Sequence, residues 1–372
     1  PALYGLAAAC ALVGFLAHAC FNPIALAEEA LLWTSLALAP ALAAIQGTQP
    51  KTEDTHSLDG RSRAQTRSRT MIACLLVLGA MVGGVQSAYN PLAAERAMRD
   101  AIMMSATGNP NTVFMYSRAT ELQPAEPTYW GALGGYAHSI ALRAEGDAKV
   151  AVLELSLITL EQARDKEPLL AFWQYELGDA QLYAASSAGM LPVEDARASY
   201  ERALELSPRN AVISGRLAVA GMVAGDFDAA AIALEQAIQY DPAWVQAAHL
   251  KLALTALKGD GAGAAQALVS RIHESPSELR TFAQVAAAQL QTFGLLDGIS
   301  AAMMPYLDAQ EENYCSLALR GILTALDGDP AKAATLLTAA AETAQPDEAE
   351  AVQSVRSYLA SFVPGFRATL TE

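Results

Sequence analysis

Few side chains in this 372-residue chain stand at spacings that do chemistry. His18 precedes the adjacent pair Glu28 and Glu29 in an otherwise apolar stretch. A histidine within reach of carboxylates can shuttle a proton or hold a cation, and ionisable groups in or near a hydrocarbon layer are functional candidates. The plainer reading is that His18 sits at an interface and the two glutamates face lipid head groups. A second group is Phe172, Tyr175 and Asp179, two aromatics and a carboxylate on one stretch of chain. Aromatics supply contact area at low entropic cost, so this group suits binding rather than bond-making. His138, His249 and His273 are scattered without ligand spacing, which gives no metal site. No Gly-rich phosphate loop, Gly-x-Ser-x-Gly elbow or paired-Cys motif occurs, so no catalytic residue and no cofactor are assigned.

The elements around His18 are apolar runs. Ala2 to Phe21, Ala27 to Ile45 and Thr70 to Ala88 each approach the roughly 20 residues that a spanning helix needs. The expectation is three transmembrane helices at about 2–21, 27–45 and 70–88, in a membrane segment covering residues 1–88. Lys51, Arg61, Arg63, Arg67 and Arg69 gather in the polar loop 46–69, which the positive-inside rule places in the cytoplasm. The third span then delivers residues 89–372 to the outer side, which in a bacterium means the periplasmic face of the inner membrane. A signal peptide is the alternative for the first run, but it lacks a basic n-region. Because the chain opens at Pro1, it reads as a piece whose beginning is missing.

Charge follows the same division. Residues 1–88 hold five basic and five acidic side chains, so the formal charge of −15 falls on residues 89–372. An acidic surface repels nucleic acid and anionic head groups. Cys10, Cys20 and Cys74 lie inside the apolar runs and Cys315 stands alone, so no disulfide framework supports the second part and helix packing must hold it.

That packing has a period. Pro208, Pro242 and Pro276 are 34 residues apart, as are Ala196, Ala230 and Ala264, and Tyr200, Leu234 and Leu268. This is the period of tetratricopeptide helix pairs, which cannot bury their apolar faces alone and stack into a superhelix with a concave binding surface. The fold class expected is therefore all-α: three transmembrane helices followed by an α-solenoid over residues 89–372. Leu133 and Gly134, then Leu177 and Gly178, mark first helices, while Pro168 and Pro208 end second helices. The intervals Pro124 to Pro168 and Pro168 to Pro208 are 44 and 40 residues, which places insertions near Leu142 to Val152 and Ala184 to Glu194. Arg271 replaces the alanine found at Ala203 and Ala237, predicting looser packing there, and Ser277 to Tyr306 departs from the pattern. Asp347 to Phe362 is expected to cap the stack. In this repeat class the positions of Phe172 and Tyr175 face the groove, which makes Phe172, Tyr175 and Asp179 the candidate partner-binding residues.

The run Gly14, Phe15, Leu16, Ala17, His18, Ala19, Cys20, Phe21, Asn22 and Pro23, followed by Leu32 and Trp33, resembles the last spans of the O-antigen ligase and polymerase superfamily. Asn90, Pro91, Leu92, Ala93 and Ala94 resemble the junction at which those proteins leave the membrane. The resemblance implies transfer or polymerisation of a lipid-linked glycan on the outer side. The family's catalytic arginines and histidine lie on large outer loops that this chain lacks, so activity would require further spans before Pro1. Two kinds of function follow. One is a membrane-anchored scaffold that binds other proteins in the solenoid groove, alone or as an accessory subunit of a larger complex. The other is the carboxy-terminal part of a glycan transferase, in contact with the bilayer and a lipid-linked glycan.

Overall fold

The structure, a computed structural model, describes residues 89–310 and 312–369. The chain divides into two compact units, Pro1–Ala125 and Glu126–Glu372. In the first, α1 (residues 89–106) is followed by α2 (Thr112–Leu122), which buries Thr112, Tyr116 and Ala119.

The second unit is a stack of helices joined by short turns. Four pairs come first: α3 (Pro127–Ala141) with α4 (Gly146–Lys166), α5 (Ala171–Ala188) with α6 (Val193–Leu206), α7 (Ala211–Ala224) with α8 (Phe227–Tyr240), and α9 (Val245–Leu257) with α10 (Gly261–Glu274). Then α11 (Glu278–Val285) runs into a π-helical turn at Ala286–Gln291, ahead of α12 (Leu296–Ala309). A further pair, α13 (Tyr314–Leu326) and α14 (Pro330–Thr343), is closed by α15 (Pro346–Phe362) and the short α16 (Phe366–Thr369).

An all-α solenoid of stacked helix pairs is therefore the observed fold, but the expected class is corrected in its membrane part. Among the described residues no helix is long and apolar enough to cross a membrane. Even the 21-residue α4 carries Asp147, Lys149, Glu154, Glu161, Arg164 and Lys166 along its length. The runs 2–21, 27–45 and 70–88, the basic loop 46–69, and His18, Glu28 and Glu29 all lie outside the described residues.

The repeat positions have a packing cause. On α3, α5 and α13 a glycine of the first helix receives a large side chain from the second helix. A Cβ on Gly178 would stand 2.7 Å from Tyr200 Cε1, one on Gly134 2.6 Å from Leu160 Cγ, and one on Gly321 2.7 Å from Leu337 Cγ. Ala196, Ala230, Ala264 and Ala333 are fully buried at the crossings, where only a methyl fits between helix backbones. The junctions within pairs repeat as well. Gly225, Gly259 and Gly328 have positive φ and end first helices, and Asp226, Asp260 and Asp329 then cap the next helix through its backbone N–H groups.

The two expected insertions are lengthened helices. α4 has 21 residues and α5 has 18, against 14 in each of α7 and α8. The helices run antiparallel, so the early start of α4 and the late end of α5 fall at the same edge. There Leu153 shares the core with Leu182 and Tyr183, the Tyr183 hydroxyl donates to the Ala141 carbonyl at 3.3 Å, and Lys149 Nζ lies 5.6 Å from the Tyr183 ring.

Successive first helices α3, α5, α7 and α9 touch one another, while the second helices α4, α6, α8 and α10 make no comparable contact with each other. A stack drawn together along one edge curves toward it, so the first helices form the inside of the curve. The regular order breaks after Pro276, where α11 packs on α9 and on the terminal α15, and α12 takes the place beside α9 and α10. α15 covers the segment expected to cap the stack, and it buries Ala351, Val352, Val355 and Leu359 while Asp347 in its first turn is exposed and Glu348 half-buried.

Candidate partner-binding face

The structure separates the three residues expected to bind. Phe172, in the first turn of α5, is half exposed, with its ring edge-on to Trp173 at 4.8 Å. Leu169 and Leu170 in the preceding turn are exposed, and so is Val212, which occupies on α7 the place that Phe172 has on α5. All four side chains lie at or just before the N-terminal ends of two inner helices.

Tyr175 and Asp179, one and two turns further along α5, belong instead to a polar network between repeats. The Tyr200 hydroxyl donates to Asp179 Oδ1 at 2.5 Å, and Arg216 Nε from α7 lies 3.3 Å from the same oxygen. The ring of Tyr175 stands 6.3 Å from that of Tyr200. On its other side the Arg216 guanidinium carbon lies 5.6 Å from the centre of the Phe293 ring. Burial works against the charge of Arg216, but Asp179, with Tyr175 and Tyr200, holds its pKa above the ordinary value. Burial and the Asp179 charge likewise raise both tyrosines. The carboxyl of Glu176 is pushed up to about 7 by burial and by Asp179, with Arg216 pulling the other way.

The network exists because a regular device is missing at this junction. Gly131 on α3 leaves a notch filled by the indole of Trp173, and Gly215 on α7 leaves one filled by Trp244. Tyr175 holds the same position in its repeat, seven residues after the proline, as Gly131 does after Pro124 and Gly215 after Pro208. With a tyrosine in place of the notch, the interface closes through Asp179, Tyr200 and Arg216.

The other expected features fall elsewhere. His138 lies edge-on to Tyr183 at 5.6 Å, its pKa lowered by burial against the pull of Asp179. His249 is buried with Nε2 3.1 Å from Glu278 Oε2, and burial keeps it neutral. The guanidinium of Arg271 grips Glu278 through two bonds of 3.1 and 2.6 Å, so the long side chain ties α10 to α11. Among the described residues no group of histidine, cysteine, aspartate and glutamate could hold a metal ion. Sequence reasoning passed over Arg216, Tyr200 as a hydrogen-bond donor, and Phe293. A signal for the first was present, since Arg216 is the lone charge in the apolar helix AVISGRLAVAGMVA.

No protein-family model and no curated protein matches the chain. Among solved structures, it is similar to a tetratricopeptide repeat protein from Parabacteroides merdae, with 15% identity, 71% of this chain and 99% of that chain covered, and a TM-score of 0.43. It is also similar to the tetratricopeptide domain of P58(IPK), with 10% identity, 80% of this chain and 99% of that chain covered, and a TM-score of 0.24.

Proposed function

We propose that this chain is a protein-interaction scaffold that takes a segment of another protein on the inner face of its solenoid, at the N-terminal ends of α5 and α7. The exposed apolar side chains there carry this reading: Phe172 is 50% exposed, and Leu169, Leu170 and Val212 are exposed at or just before the same helix ends. Large aromatic and aliphatic side chains left open together on a rigid helix face are what an interface core is made from. Tyr175 and Asp179 lie deeper on the same helix, where a bound segment meets a polar floor already held in place by Arg216. The formal charge of −15 opposes a nucleic-acid partner. The bilayer and lipid-linked glycan contacts expected from sequence draw on residues outside those described and form no part of this reading.

Photocrosslinking tests it. A benzoylphenylalanine at position 172 is expected to trap a protein in cells, whereas the same probe at Ile232, exposed on the outer helix α8, traps none. No adduct at 172, or the same adducts at both positions, overturns the proposal.

A further inference from the structure

The three inner helices α3, α5 and α7 carry three charged side chains between them, Glu176 and Asp179 on α5 and Arg216 on α7. Asp179 and Arg216 answer each other at 3.3 Å, and the Tyr200 hydroxyl donates to the same Asp179 oxygen. Glu176 is left over. It is half-buried, and among the described residues it makes no hydrogen bond and no ion pair. Burial first, and then Asp179, push its carboxyl up to about 7 against the pull of Arg216, as befits a carboxylate set in a partly dry place without a cation of its own. The other titratable groups of the network, His138, Tyr175 and Tyr200, are kept neutral by burial and bring it no compensating charge. A group that costs stability in the free chain and gains nothing from its own fold marks a place where binding sets the residue.

The position of Glu176 adds a second constraint. It follows Phe172 by one helical turn, so the two side chains share a face of α5 and stand about 6 Å apart along the helix axis. Phe172 is exposed at the outer end of that line, and Glu176 comes between it and Asp179. Alternate side chains of an extended chain lie on one face about 7 Å apart, which matches the spacing of the exposed ring and the unpaired carboxyl.

We infer that the segment bound on the inner face brings a lysine or arginine to Glu176, two positions along an extended stretch from the large apolar side chain that covers Phe172. The inference rests on the reading of that face as the partner-binding surface. Charge complementarity carries it: the cation supplies what the inner helices lack, and the Glu176 carboxyl releases its proton and accepts a charge-assisted hydrogen bond in exchange.

Random dodecapeptides displayed on phage and panned on the full chain read this requirement without a known partner. The natural protein and Glu154→Gln, altered at an exposed acid of the outer helix α4, are expected to enrich peptides with Lys or Arg two positions from a large apolar residue, roughly tenfold over the unselected library. Glu176→Gln should lose that enrichment. Equal enrichment on Glu176→Gln means attraction to the acidic surface at large and overturns the inference. Selected peptides with apolar residues and no basic one overturn it too, while leaving the scaffold reading standing. No selection by any of the three proteins also overturns it, and crosslinking at position 172 then decides the scaffold reading by itself. Should thermal unfolding show that Glu176→Gln has lost the fold, Glu176→Met carries the same measurement.

Discussion

The indole of Trp173 lies where a side chain on Gly131 would have to be. This glycine is kept for closeness of approach, not for backbone freedom, since it is inside α3. Gly131→Ala is therefore expected to cost about 1–3 kcal/mol by forcing the indole out of its notch. Gly135→Ala, on the same helix with open space around it, should be neutral or stabilising by up to about 1 kcal/mol. Urea unfolding of the two variants checks both signs.

Leucine at Ala230 is expected to destabilise by about 1–3 kcal/mol, because Ala230 is fully buried and even a Cβ on Gly221 of α7 would stand 3.2 Å from its methyl. Ala233, one turn away on the same helix, is 3% exposed and belongs to the core. Ala233→Leu should thus cost a comparable amount, whereas Ile232→Ser, at an exposed position on the same helix, should stay within about 0.5 kcal/mol. Equal effects at all three sites would contradict this register.

Glu176 has its pKa raised to about 7. The folded state therefore holds this proton more tightly than the unfolded state does. Stability from the group is full below the ordinary carboxylate range and declines as pH rises toward about 7. Glu176→Gln should raise the melting temperature at pH 8, leave it unchanged near pH 4, and flatten the profile between. A profile as steep as that of the natural protein would count against the burial of this carboxyl.

Removing Arg271 leaves the Glu278 carboxylate, whose side chain is 16% exposed, beside a neutral His249. Arg271→Ala is expected to cost about 1–3 kcal/mol, and Arg271→Lys to restore only part of it, because an ammonium cannot make the paired bonds. Thermal unfolding of the two variants decides this.

Phe172 and Tyr175 should part company under mutation. Phe172→Ala is expected to leave the melting temperature nearly unchanged and to reduce capture of the partner identified by crosslinking, by about 1–2 kcal/mol of binding energy. Tyr175→Ala should lower the melting temperature clearly, since this ring packs on the core. A stable Tyr175→Ala protein would show that the network is dispensable to the fold.

The solenoid was legible because its period is written in the residues that touch: alanines at crossings, Gly178 under Tyr200, prolines ending second helices. The candidate site was legible in part. Phe172 is half exposed, and the register could not show that Asp179 is shared by Tyr200 and Arg216. The partners come from three helices, and their meeting depends on the spacing of the stack. The notches of Gly131 and Gly215 lay within reach, since the two glycines stand as far apart as Pro124 and Pro208, 84 residues. Phe293 was out of reach, because its corner belongs to a stretch without the period and its contact skips a repeat. The contact of Arg271 with Glu278 was missed for a related reason, since it depends on the length of the side chain reaching the next helix.

The matched lengthening of α4 and α5 bears on how this array can be inherited. The extra turns cover each other, so deleting or duplicating either repeat alone would leave an uncovered apolar edge at Leu153 or at Leu182. The two repeats can be passed on only as a block. Recombination between repeats that preserves folding should therefore find its breakpoints after Pro208 and Pro242, where the units are of standard length, and not at Pro168, which divides the block.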